Sequence, residues 1–378
     1  MSSGGILIVG GYGVVGRRIA ADLAPDYPGA VIVAGRNLEQ AQSLAISFAT
    51  GMRARYVDVR QPESIEAALD GVETIVSCID QAEPYLLEAA IQHGLAYTDL
   101  TPHLITRRPT DAMREAAVRS GARVVLGAGL APGISSVLAR AAADRLDGPV
   151  KRIETSVLLS IGDEYGSASR AYILDEISRP YRVTVDGDDR RALPFTRPTR
   201  VAFPAPLGRR AAYLFPFSDQ VFYPRTLGAR TALTRLALDP PWLAAVASAL
   251  VRTGLAARLA ARSASRDRSQ ALLHRLQAGY RGGDWYGLVV EVAGPGGSAR
   301  ASLVGHGQAE VTAVGAAAVV RALVDGGVDK PGLWCAEEVV PVGSFLEHLR
   351  REGIAPQIEC TPGSRPAQPA GTPGGRLG

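Results

Sequence analysis

Between residues 5 and 129, short runs of apolar residues alternate with stretches in which apolar positions return every three or four residues. Ile6-Leu7-Ile8-Val9 is continuously apolar and bounded by glycines, which predicts a strand buried on both faces. Val14 to Leu23 then carries helical spacing. Ala30 to Ala34 reads as a second strand, and "RARYVDV" at 53–59 as a third. "PESIEAAL" follows as a helix with proline in its first turn, then "VETIVSC" at 72–78 as a strand. "EPYLLEAAIQHG" predicts a helix closed by glycine, and "LAYTDL" at 95–100 a strand. The helix "PTDAMREAAVRSG" and the strand "ARVVLGAG" at 122–129 complete the series. Strands alternating with helices predict an α/β fold with a doubly wound parallel sheet.

The texture changes after Gly129. "LAPGISSVLARAAADRL" reads as a loop and a helix, and "VKRIETSVLLSIG" at 150–162 opens a new strand. "RPYRVTVDGDDRRALPF", "RVAFPAPLG" and "DWYGLVVEVAGPGGSARASLVGHG" are β-rich, with Gly294-Pro295-Gly296-Gly297 as a hairpin loop. Helical segments are expected at 231–262, 266–278 and 308–325. Together these predict a second, α+β domain with helices on one face of a mixed sheet. The expected division is 1–130, 131–330 and 331–360, with a Pro/Gly-rich disordered tail at 361–378.

Composition narrows the class. A chain of 378 residues is the length of two domains, and 47% apolar with 21% charged residues describes a soluble globular protein. The net charge of +4 is dispersed, with no basic block of the kind that binds nucleic acid. Three cysteines, Cys78, Cys335 and Cys360, form no C-x-x-C and suit a reducing cytoplasm. No charged leader precedes an apolar run, and the most apolar stretch, Trp242 to Leu250, is too short to span a bilayer. No histidine or cysteine spacing suggests a metal.

Between the first strand and the first helix stands Gly11-Tyr12-Gly13-Val14-Val15-Gly16, a G-x-G-x-x-G match in the context that a dinucleotide site requires. Gly11 is expected to permit the turn, Gly13 to let the backbone approach a pyrophosphate, and Gly16 to let helix and strand pack closely. At the end of the second strand, where an NAD-type site places an acidic residue on the ribose, this chain has Arg36-Asn37. A guanidinium suits a 2′-phosphate, so NADP(H) is favoured over NAD(H). Because ligands lie beyond the carboxyl ends of parallel strands, Asp58-Val59 are placed near the adenine, Ser77-Cys78-Ile79 near the ribose and nicotinamide, and Thr98-Asp99 at the cleft mouth.

The chain resembles the saccharopine dehydrogenase-like oxidoreductases, which include saccharopine reductase, lysine 6-dehydrogenase and carboxynorspermidine dehydrogenase. The resemblance rests on "GGYGVVGRRIAADL", "VIVAGRN", "GVETIVSCI", "AYTDLT", "GLAPGISSVLA", "YGLVVEVAG" and "GLWCAEEVVPVGSFLEHLRREGI". "GLAPG" at 129–133 matches a family Gly-x-x-Pro-Gly, although Ala131 stands where many members carry Asp. It implies NAD(P)(H)-dependent oxidation of a C–N bond or reduction of an imine. It also implies a second domain that mediates homodimerisation and a closing segment that returns to the nucleotide domain.

Asp99 is the first candidate to stabilise an iminium or handle a proton, with capping of the following turn as its other reading. His103 could exchange a proton near neutrality. Tyr97 and Thr98 alternate, so one of the two faces the ligand. In "SIGDEYGSASRAYILDEI", Asp163, Glu164, Tyr165 and Arg170 could line the substrate, Arg170 as a carboxylate clamp, while Tyr172 reads as core. His306 is a further possible proton carrier. The only lysines, Lys151 and Lys330, open a strand and precede a proline, which disfavours a lysine-dependent mechanism. The reading is a cytoplasmic NADP(H)-dependent oxidoreductase acting by hydride transfer on an imine of a small polar substrate. Two alternatives stand beside it: a reductase of an activated C=C or C=O in a polyketide-like substrate, and a non-catalytic nucleotide sensor.

Overall fold

The structure is a computed structural model that describes residues 4–81, 83–100, 111–163, 167–177, 179–260, 275, 277 and 279–362. Two sheets organise it. The first holds β1 (Gly5–Val9), β2 (Val31–Gly35), β3 (Arg53–Tyr56), β4 (Val72–Ser77), β5 (Ala96–Asp99), β6 (Arg123–Leu126) and, from near the C-terminus, β15 (Gly332–Cys335). Its order is β15-β6-β5-β4-β1-β2-β3, and every pairing is parallel. Order reverses between β1 and β4, which opens the crevice where doubly wound sheets bind nucleotides.

Alternation along these strands explains why they read as unbroken apolar runs. Leu7, Val9, Ile32, Ala34 and Ile75 enter one core, while Ile6, Ile8, Val31, Val33 and Val76 enter the other. The first of these cores lies under α3 (Pro62–Ala67), α4 (Tyr85–Gln92) and α5 (Asp111–Ser120). The second is continuous with the core of the other lobe.

The second sheet runs β10 (Thr199–Ala202), β11 (Arg209–Leu214), β12 (Thr231–Asp239), β7 (Arg152–Ser160), β13 (Trp285–Gly294), β14 (Gly297–His306), β16 (Gln357–Pro362). The hairpin β8 (Tyr181–Val185) and β9 (Asp188–Ala192) joins it at β12. Only β12–β7 is parallel, so the sheet is mixed. Against one face packs α6 (Ile134–Ala143), which begins at the Gly129–Gly133 loop. That loop closes on itself: Gly133 has φ 129°, and a Cβ there would lie 2.1 Å from the Gly129 carbonyl oxygen.

Two expectations change. Thr231–Asp239 is a strand, and the helix begins only at Pro241, as α9 (Pro241–Arg252). The segment is rich in Ala and Leu, but it sits between β11 and β7 and is buried through Ala237, so tertiary pairing overrides helix propensity. The closing segment also divides between the sheets. β15 pairs with β6, whereas β16 pairs with β14 and carries the chain through Pro362. Residues 266–274 and 363–378 lie outside the described residues.

A long helix, α11 (Gln308–Val324), follows the second sheet in sequence yet packs on α1 (Gly16–Leu23) of the first lobe. Arg321 reaches Asp22 and Asp26, each at 2.7 Å, and Arg18 meets Glu310 at 2.6 Å. Tyr27 donates to Asp325 at 2.9 Å. The two lobes are therefore joined by a shared core rimmed with ion pairs.

Candidate nucleotide-binding site

The turn after β1 is built by backbone. Gly10, not Gly11, takes the left-handed conformation (φ 81°), and both their N–H groups donate to Ala34 O at 2.8 and 3.3 Å. Gly11 owes its size to proximity instead: a Cβ there would lie 2.8 Å from Ile8 O. At Gly16 a Cβ would be 2.3 Å from Gly10 O, so α1 sits directly on the turn. Gly13 differs from both. It is exposed, and a Cβ would approach only Gly10 O, at 3.1 Å. Protein packing presses far less on a side chain there than at Gly11 or Gly16, whereas a diphosphate against the backbone would require glycine. Val14 and Val15 are half-buried and lead into the first turn of α1, whose amides lack intrahelical partners.

Tyr12 links this turn to β2. Its ring lies over Gly35, where a Cβ would fall 2.6 Å from it, and its hydroxyl accepts the Asn37 N–H at 3.0 Å. The Asn37 side chain caps α2 (Leu38–Ile46), its Oδ1 accepting the Gln40 N–H at 3.0 Å. Arg36, between them, is exposed.

At the end of β3, Asp58 is buried and its carboxylate is gripped by Arg60, from Nε at 3.0 Å, Nη2 at 2.6 Å and the backbone N–H at 3.1 Å. These hydrogen bonds, with the nearby charges of Arg60 and Arg36, hold its pKa down to about 2. Val59 is partly buried against the core beneath α3 and α4. Arg60 was not foreseen from sequence. The available signal was a second arginine, two residues past the acid, in the turn leaving β3.

The end of β4 meets the glycine turn edge-on. Cys78 donates its N–H to Val9 O at 2.9 Å, and the Ile79 side chain abuts Gly10. Burial pushes the Cys78 thiol up to about 12, so it is neutral and a poor nucleophile. Ser77 is fully buried and accepts from Gln81 Nε2 at 3.0 Å. Gln81, another residue missed in the sequence, leaves its own Oε1 without a partner among the described residues.

On β5 the geometry corrects the proposed roles. Tyr97 is fully buried in the core under α4 and α5 rather than lining a substrate, and burial raises its pKa far above the usual range. Its hydroxyl lies near Gln81 and Ser77 without making a hydrogen bond of good geometry. Thr98, on the opposite face, is also fully buried, and its Oγ1 has no partner among the described residues. Asp99 has no exposed surface: its Oδ1 accepts the Gly127 N–H at 3.0 Å and its carbonyl accepts the Ala128 N–H at 2.7 Å. It pins β5 to the segment after β6, a tertiary contact rather than a cap of the turn that follows it. His103 lies outside the described residues.

Asp163 is buried and accepts the backbone N–H of Gln308 at the start of α11, so it caps a helix instead of lining a substrate. Glu164 and Tyr165 lie outside the described residues, as does the side chain of Arg170 within α7 (Ser167–Glu176). Tyr172 donates to Pro216 O at 2.6 Å and packs edge-on against Phe215. His306 pairs with Asp284 at 2.5 Å and stacks on Trp285.

A buried acid pair between the lobes was also missed, because its members are distant in sequence. Asp219, on α8 (Asp219–Thr226), accepts from Ser135 at 2.5 Å and Tyr223 at 3.2 Å. Glu337, on α12 (Ala336–Val339), accepts from Thr226 at 2.8 Å. Each leaves one carboxylate oxygen unpartnered among the described residues. Burial pushes Asp219 up to about 6 and Glu337 up to about 7. No described group of histidine, cysteine and acidic residues could hold a metal, and no helix among the described residues is long and apolar enough to cross a membrane.

Residues 6–129 match the family model described as the saccharopine dehydrogenase NADP binding domain. The fold is similar to that of saccharopine dehydrogenase (L-Glu forming) from Saccharomyces cerevisiae, with a TM-score of 0.69 and 17% identity over 95% of this chain and 100% of that one. GenD2 from gentamicin A biosynthesis, in complex with NAD, aligns over 96% of this chain and 97% of its own at 16% identity, with a TM-score of 0.43. Triphenylmethane reductase from Citrobacter sp., complexed with NADP(H), aligns over 32% of this chain and 48% of its own, with 20% identity and a TM-score of 0.27.

Proposed function

We propose that the chain, with that nucleotide-binding domain and that fold, is a saccharopine dehydrogenase-like NAD(P)-dependent oxidoreductase that prefers NADP(H) and reduces an imine, or oxidises the corresponding C–N bond, of a small polar substrate. The observation that carries the cofactor reading is Gly13, exposed, where a Cβ would meet a single atom, Gly10 O at 3.1 Å, against 2.3 Å at Gly16. The residues suited to hold the nucleotide are the 11–16 turn for the diphosphate, Arg36 for a ribose phosphate, and the Ser77-Cys78-Ile79 strand end nearer the nicotinamide. When bound, the nicotinamide supplies or accepts hydride. The protein's part is then to position the substrate and to keep water away from the transferring atom. Asp99, committed to the Gly127 amide, supports the crevice floor in this scheme. The free cysteines accord with a cytoplasmic enzyme, and dimerisation through the second lobe is part of the same proposal.

The test begins with titration of the purified protein with NADPH and NADH. NADPH consumption is then screened against imines formed from amino acids and keto acids, with carbonyl and enoyl compounds in parallel. Tight binding with turnover of an imine is expected; binding without any turnover would leave a sensor. Arg36→Asp should weaken NADPH by roughly 10- to 100-fold and shift preference toward NADH, since a charge-assisted bond to phosphate is lost. An unchanged NADPH/NADH ratio would remove Arg36 from the phosphate.

A further inference from the structure

Beyond Arg36, the mouth of the crevice holds a second guanidinium whose placement is unusual. β2 and β3 are adjacent parallel strands in register, Gly35 opposite Tyr56, and Val57 donates its N–H to Gly35 O at 3.1 Å. Arg36 and the Asp58–Arg60 turn therefore leave the sheet side by side. Asp58 lies close enough to Arg36 to feel its charge.

The Asp58 carboxylate is buried while the Arg60 side chain is 70% exposed. The contact with Asp58 uses Arg60 Nε and one N–H of Nη2, so three of the five guanidinium N–H groups are not committed to Asp58, on a side chain that is mostly exposed. An exposed pair two residues apart adds little to stability, and an unpaired arginine would sample many rotamers. Here a buried carboxylate holds the planar fork in one orientation. Both carboxylate oxygens are covered by Arg60, and the trio of two guanidinium groups and one carboxylate carries a net charge of +1, so the acid does not repel an incoming anion.

We propose that Arg60 is the second arm of a two-arginine clamp for the ribose 2′-phosphate of NADP(H), with Asp58 as the positioning residue that aims it. This rests on the reading that a nicotinamide nucleotide binds at the glycine turn. It deepens that reading by assigning cofactor choice to a pair of residues on neighbouring strands. It also gives Asp58 a role other than direct contact with adenine.

The test uses the full chain and direct binding by calorimetry, with four probes: NADPH, NADH, adenosine 2′,5′-bisphosphate and 5′-AMP. Arg60→Gln should weaken NADPH and the bisphosphate by about 10- to 100-fold while NADH and 5′-AMP stay within about twofold. The loss should shrink as salt is raised. Asp58→Asn should produce a smaller loss with the same selectivity. An equal loss for all four probes would make Arg60 a platform for the adenine ring and overturn the clamp, as would unchanged NADPH affinity with an unchanged melting temperature. Selective loss in Arg60→Gln but none in Asp58→Asn would overturn the positioning role. Wild-type protein that binds none of the four would bring down the nucleotide reading itself, a result separable from failure of the clamp alone.

Discussion

Gly13 and Gly16 are three residues apart in one turn, yet their substitution should have opposite consequences. Gly16→Ala forces a Cβ to within 2.3 Å of a backbone oxygen and should cost roughly 1–3 kcal/mol or more of stability, read as a lower melting temperature. Gly13→Ala meets one atom at 3.1 Å and should leave the melting temperature nearly unchanged while lowering affinity for NADPH and NADH alike, at least tenfold. A variant at Gly13 that binds both nucleotides normally would move the site elsewhere. At this scale the motif was legible because its spacing is local. The division of labour within it was not: the left-handed residue is Gly10, just outside the pattern. Asp99 shows the same limit. Its place at a strand end fits either a cleft or a cap of the following turn, and the partner it takes, the Gly127 amide on the segment after β6, is in neither place.

Among elements, the strands β1 to β6 and the helices α1, α3, α4 and α5 follow from the sequence pattern, whereas α2 was not foreseen. Asn37 tests how closely an element and the site share residues. Its side chain caps α2, so Asn37→Ala should cost about 1 kcal/mol of stability and change NADPH affinity by no more than about twofold. A large loss of affinity with unchanged stability would return Asn37 to the cofactor. β12 marks where periodicity stops being informative. A strand buried on both faces has no alternation, and "TALTRLALD" has the leucine and alanine content of a helix. Its partners β7 and β11 decide the matter.

For the whole molecule, the Asp219–Glu337 pair makes stability depend on pH. Both carboxyls are raised in the folded state, so between about pH 4 and 7 the native protein binds more protons than the unfolded chain. Their contribution is fully present below the unfolded pKa values and is lost as pH rises through about 6 and about 7. Denaturation midpoints should therefore fall between pH 5 and pH 8. Glu337→Gln keeps an acceptor for Thr226 without a charge, and should raise stability at pH 8 by about 2 kcal/mol while changing little at pH 5. The same pH slope in wild type and variant would show that Glu337 does not titrate in this range. The pair spans α8 and α12, and Ser135 on α6 completes it, so three elements distant in sequence share one charge-sensitive contact.

Alone, the amino-acid order determined what depends on neighbours in the chain: the alternation of strands and helices, the glycine turn between the first two, the absence of an acid at the end of β2. Those features are set by local sterics and by periodicities of two and about four residues, which any short window carries. Tertiary structure alone decided which distant segments complete each sheet, so that β15 enters one and β16 the other. It also decided which polar groups are sealed from water. Burial is a property of the assembled chain: it set Asp99 against the Gly127 amide and Asp163 against the first amide of α11, brought Asp219 to Glu337, and placed Asp58 where the charges of Arg60 and Arg36 both reach it.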